Sequence, residues 1–173
     1  QEKARQIEMF GQRHGSVVSS LATAFELSNE PAAVGSNRTE QRLGGILREN
    51  PDLLAIYIKP IDSESTAVFR SESLTRADVD TIADSVTDNN FSRSHVIVGE
   101  PIQLNVGGSF VMPFSTEAVR DGQPTAKIVA IASLQAISQG VVGLTKTKEE
   151  ELWSAGLPIV FVVNSQGKTL FHP

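Results

Sequence analysis

Along residues 2–27 the apolar positions Ile7, Phe10, Val17, Leu21 and Phe25, with His14 on the same line, recur every three or four residues. That spacing predicts a long helix with one apolar stripe. Glu30-Pro31 ends it, because proline disfavours helical geometry in the residue before it. A second helix is predicted over 39–48, capped by Thr39, with Leu43, Ile46 and Leu47 facing inward. Its Gly44-Gly45 pair costs about 1 kcal/mol per glycine relative to alanine, so close packing against a neighbour is the expected compensation. After the break at Asn50-Pro51-Asp52, two strands over 53–59 and 66–70 form a hairpin with a loop longer than the tight two-residue kind. Ser73 or Thr75 then caps a helix running to about Val86, with Val79, Ile82, Ala83 and Val86 at helical spacing.

The stretch from Val98 to Ile137 reads as a three-strand meander that follows a strand at 95–98. Residues 109–115 alternate, with Phe110, Met112 and Phe114 on one side, as in a half-buried strand. Arg120-Asp121-Gly122-Gln123-Pro124 supplies turn chemistry. Residues 126–134 are apolar on both faces after Lys127, the mark of a central strand covered above and below. Residues 139–155 predict a polar helix stopped by Gly156, and 158–171 a last hairpin turning at Asn164-Ser165-Gln166-Gly167. The first hairpin and the meander already make five strands, so this last hairpin is expected to stay outside the main sheet.

With 173 residues, 40% of them apolar, the chain can bury a substantial core. Its net charge of −5, with no cluster of Lys and Arg, argues against a dedicated nucleic-acid surface. The lack of cysteine excludes disulfides, thiolate metal sites and a cysteine nucleophile. No apolar run approaches the roughly 18 residues needed to span a bilayer. Gln1 lies in mid-helix and the chain stops just after a strand, so it reads as an excised part of a longer protein.

Catalytic chemistry finds no constellation. His14, His95 and His172 lack partners at metal-ligand spacing and read as packing or surface residues, and no Gly-x-Ser-x-Gly elbow occurs. Val106-Gly107-Gly108-Ser109 lacks the Lys-Ser/Thr that a phosphate loop requires and reads as a turn. Glu149-Glu150-Glu151 reads as a solvated helix face, and Trp153 as a packing aromatic. No enzyme, cofactor or metal is expected.

Three stretches carry a family likeness: Glu49-Asn50-Pro51-Asp52-Leu53-Leu54-Ala55-Ile56-Tyr57, then Val98-Gly99-Glu100-Pro101 through Ile137, and Val160-Phe161-Val162-Val163-Asn164-Ser165-Gln166-Gly167-Lys168 with His172-Pro173. In this order they resemble the double Cache, PAS-like, extracytoplasmic sensor domains of bacterial transmembrane receptors. The resemblance implies an α+β fold, a five-stranded antiparallel sheet on a long N-terminal helix. It divides the chain into a membrane-distal module with its helix at 1–138, a connecting helix at 139–156, and the start of a truncated membrane-proximal module at 157–173.

It also implies a periplasmic location, a membrane-anchored parent, and a small molecule held between the sheet and a loop-helix lid. The parent would be of the histidine kinase, chemoreceptor or nucleotide cyclase type. On the elements that hold ligand in this family, the candidates are Tyr57, Arg70, His95, Asn105, Met112 and Phe114. Amino-acid-binding members carry an Arg shortly followed by Trp, and later an Asp. Here Arg70 is followed by Ser71-Glu72-Ser73, and Asn105 stands about where the Asp is sought. If Arg70 binds, its guanidinium favours an organic anion; otherwise it is a surface ion-pair partner of Glu64 or Glu72. The stripe of the first helix is expected to form a homodimer. The alternative function is a PAS-like dimerisation or protein-interaction module without a small-molecule ligand.

Overall fold

The computed structural model describes residues 2–27, 37–86, 96–104, 109–137, 162–163 and 169–171. Helix α1 (Glu2–Leu27) leads into α2 (Asn37–Glu49), the hairpin β1 (Leu53–Pro60) and β2 (Thr66–Phe69), and α3 (Arg76–Ser85). Then come β3 (Ile97–Val98), β4 (Ile102–Gln103), β5 (Phe110–Arg120), β6 (Gln123–Ser133) and the single turn α4 (Gln135–Ile137). The predicted helix at 139–155, with Trp153, lies outside the described residues.

The strands form one antiparallel sheet in the order β2-β1-β6-β5-β3, with β4 also on β5. Five strands were expected and six are present, because the edge partner of β5 is broken in two. Ile97 and Val98 pair with Ser115 and Phe114, and Ile102 and Gln103 with Val111 and Phe110, so the register slips by one residue across Gly99-Glu100-Pro101. Gly99 donates its N–H to Pro113 O at 2.8 Å. The approach is close: a Cβ on Gly99 would lie 2.7 Å from Pro113 Cγ and 3.1 Å from Val86 Cγ2. As the unbroken apolar run predicts, β6 is central and its residues 128–132 are buried on both faces.

The β5–β6 hairpin is longer than the alternation at 109–115 suggests. Its pairing runs to Arg120 and Gln123, around a tight turn at Asp121 and Gly122 with positive φ of 51° and 79°. Pro124 is therefore a strand residue opposite Val119, next to a register shift, rather than a turn residue.

One face of the sheet carries α1 and α2. Val18, Leu21 and Ala22 of α1 and Leu43 and Leu47 of α2 pack on Leu53, Ile56, Ile58, Phe114, Ile128, Ala130 and Ala132. Phe10, Val17 and Phe25 lie against the same layer, so most of the stripe expected to join two copies instead covers the chain's own sheet. Gly44 and Gly45 correct another expectation. A Cβ at either position would meet only the Arg48 side chain, at 3.6 and 3.9 Å, so close packing does not account for them.

The opposite face carries α3, with Val79, Ile82 and Ala83 over Ala55, Tyr57, Val129 and Ile131. Thr75 is its N-cap, in a reciprocal capping box with Asp78. β7 (Val162–Val163) and β8 (Thr169–Phe171) pair with each other in a separate two-stranded sheet, as the hairpin reading predicts.

Candidate functional site

Strand alternation and register decide what each face of the sheet can do. Across the α3 face runs a row of cross-strand partners: Ala67, Tyr57, Val129, Ser115 and Ile97. Beside it run Phe69, Ala55, Ile131 and Pro113. Leu74, Leu104 and Ile102 join α3 in the apolar layer above them. This surface is apolar except for two hydroxyls. Tyr57 and Ser115, each 3% exposed, stand two strands apart, a separation of about 10 Å. Neither side chain makes a hydrogen bond to another described residue.

Lys127, one row further along, faces the same side. Its Nζ donates to Ala83 O and to Val86 O, both at 2.7 Å, and so ties the C-terminal end of α3 to the sheet. Burial lowers its pKa, with Asp84 opposing the shift.

The six predicted site residues do not converge. Tyr57 lies on the α3 face, buried in the sheet centre. Phe114, fully buried, and Met112 lie on the opposite face beneath α1. Period two places Met112 and Phe114 together, but only the register shows that they and Tyr57 point to opposite sides. A pocket floored by Tyr57 therefore excludes both.

Arg70 follows β2, and its guanidinium is engaged. Nε donates to Leu53 O at 2.9 Å and Nη2 to Leu47 O at 2.8 Å, joining the end of α2 to the start of β1. Among the described residues these bonds take the place of the ion pair with Glu64 or Glu72 read from sequence. His95 and Asn105 lie outside the described residues, as do Gly107 and Gly108. Ser115 was missed because a serine between Phe114 and Thr116 gives no local signal; its partner row exposes it.

Two open grooves flank α1 instead. One, of about 250 Å³, lies between α1 and α2 and is lined by Ser16, Val17, Ser20, Leu21, Arg42 and Ile46. The other, of about 520 Å³, runs along the outer side of α1 beside Val96 and Val98. Neither contains a residue predicted from sequence as a ligand contact. Among the described residues no group of three His, Asp or Glu side chains could hold a metal, and no helix is long and apolar enough to cross a membrane.

Neither a profile of a known protein family nor a curated protein sequence matches the chain. Solved structures do. The ligand-binding domain of the Pseudomonas aeruginosa PAO1 amino-acid chemoreceptor PctC, in complex with GABA, superposes with a TM-score of 0.67 at 19% identity, over 99% of this chain and 70% of that one. That of the Campylobacter jejuni chemoreceptor Tlp3, in complex with L-valine, gives 0.65 at 13%, over 98% and 66%. That of Pseudomonas fluorescens CtaA, in complex with L-serine, gives 0.58 at 19%, over 99% and 67%. The chain thus spans about two-thirds of the length of these neighbours. With α1 laid along one face of an antiparallel sheet and α3 over the other, it has the α+β fold of the Cache-type ligand-binding domains of bacterial chemoreceptors.

Proposed function

We propose that this chain is the extracytoplasmic ligand-sensing part of a bacterial transmembrane receptor, and that a small molecule binds over the α3 face of the sheet. The observation that carries the reading is the fold shared with the amino-acid chemoreceptor domains. It is supported by two hydroxyls, Tyr57 and Ser115, that have no hydrogen-bond partner among the described residues, in an otherwise apolar row of that face. The chain is read as a sensor and not an enzyme. Two of the five N–H donors of Arg70 are held by backbone carbonyls.

A thermal-shift screen against amino acids, organic acids, amines and purines tests this. A ligand at 100 times its dissociation constant adds about 2.7 kcal/mol of stability. Tyr57→Phe is expected to reduce the shift produced by the hit while leaving the unliganded protein folded. No shift with any class, or an undiminished shift in Tyr57→Phe, would remove the site.

A homodimer through the first helix remains part of the proposal, with a changed face. With Phe10, Val17 and Leu21 committed to the sheet, the surface open to a second copy is the polar side at Gln12, Ser16, Ser19 and Ser20. Sedimentation of wild type against Ser16→Arg/Ser20→Arg tests it: a dimer that the double variant dissociates supports this face, and a monomeric wild type rejects it.

A further inference from the structure

His14 sits in the middle of α1, fully buried, and neither ring nitrogen has a hydrogen-bond partner; among the described residues no other side-chain nitrogen or oxygen shut off from solvent is left so. Its ring lies edge-on to Phe10, with centroids 4.3 Å apart, and 5.6 Å from the ring of Phe114 on β5. The surrounding layer is apolar. β5 contributes Phe114 and Met112, β6 contributes Ala130 and Ala132, and α2 contributes Leu43 and Leu47. Near Phe10 and Met112, α4 adds Ile137. The charged groups that act on the ring are Arg13, its neighbour on α1, and Asp52, just before β1. These two face each other, Arg13 Nη1 lying 3.3 Å from Asp52 Oδ2.

An unsatisfied imidazole in a core costs free energy even when neutral, and phenylalanine would fill the same layer without that cost. A charged imidazolium could not stay there uncompensated. We propose that His14 is a proton-operated latch: neutral, it lets α1 lie flat on the sheet, and protonated, it drives this part of α1 outward until the ring reaches water or the Asp52 carboxylate. The inference rests on the helix–sheet contact alone and holds whatever the α3 face binds.

The direction follows from burial, which lowers the pKa of His14 from 6.5 to about 4, with Arg13 adding to the shift and Asp52 opposing it. Between those values the undocked helix binds more protons than the docked one. Docking is therefore fully stable above pH 6.5 and loses stability as pH falls through 6.5 towards 4. At pH 5 the difference amounts to about 30-fold in the ratio of docked to undocked helix, about 2 kcal/mol.

Hydrogen exchange on the full chain at pH 7 and pH 5, corrected for intrinsic rates, tests the latch against the central strand as an internal reference. Protection of residues 7–21 is expected to fall about 20-fold relative to β6 in wild type between these two pH values, and to stay constant in His14→Phe. An equal fall in both proteins, or no fall in wild type, overturns the proposal. If His14→Phe does not fold, the ring resonances of wild-type His14 decide. A midpoint well below 6.5, with α1 amides shifting in step, supports the latch; a midpoint at or above 6.5 overturns it.

Discussion

On its α1 side the sheet presents Ile56, Ile58, Phe114 and Ile128 to a helix of 26 residues; on the other it presents Tyr57, Ser115, Val129 and Ile131 to a helix of ten. The first contact is wide and apolar, with added hydrogen bonds at the far end of α1, where Glu26 accepts from Val119 N–H at 2.9 Å and Arg120 donates to Phe25 O at 3.4 Å. The second is short and leans on the Lys127 clamp at one end, while at the other the Thr75–Asp78 capping box closes α3 on itself. Apolar area resists opening in proportion to its extent, whereas a few hydrogen bonds can be exchanged for others with little net change. The α3 side is thus the one suited to rearrange around a ligand, and the α1 side the one that holds the fold.

Substitutions on the two sides should separate accordingly. The largest effect is expected from Phe114→Ala, a fully buried side chain beneath α1, at about 3–5 kcal/mol in denaturant unfolding. A loss below about 1 kcal/mol would mean that α1 does not depend on this layer. Lys127→Met is expected to cost about 1.5–3 kcal/mol, the range for hydrogen bonds to charged groups, and to raise hydrogen exchange in α3 while α1 stays protected. Equal loss in both helices would erase the distinction between the faces.

Gly99→Ala tests the break in the edge strand. Its Cβ would overlap the Pro113 ring and crowd Val86, so about 1–3 kcal/mol should be lost, read as a lowered melting temperature. Thr75→Ala removes the α3 cap at about 1 kcal/mol, visible as faster exchange in the first turn of that helix.

Acid distinguishes the sides once more. Hydrogen bonds from the Thr75 side chain and backbone hold the Asp78 carboxyl below its usual 3.8, so the cap is intact above that value and is lost only as pH falls through the lower one. His14 acts between 6.5 and about 4. On titration from neutral pH, α1 should loosen before α3; circular dichroism with helix-resolved exchange reads the order, and the reverse order would contradict both assignments.

The sequence exposes whatever a single element can encode. The doubled apolar faces of residues 128–132 announce a central strand, and Ser73 and Thr75 announce a helix start, of which the structure uses Thr75. It hides what depends on register. Alternation puts Phe110, Met112 and Phe114 on one side of a strand, but nothing in that strand says whether the side meets α1 or α3. Tyr57 and Ser115, 58 positions apart, become neighbours in one row only through Val129, the residue that pairs with both. The role of Arg70 was equally concealed, since the groups it binds are carbonyls, which every residue type carries.

That guanidinium also fixes a length. Its two donors reach Leu47 O and Leu53 O at once, so the distance between those carbonyls, and with it the number of residues in the connection from α2 to β1, is gauged by a side chain beyond the next hairpin. Residues within 48–52 can be exchanged as long as the path stays the same, but inserting or deleting one must break a bond to Arg70 or shift the start of β1 against β6. The connection is on this account tolerant of composition and intolerant of change in length.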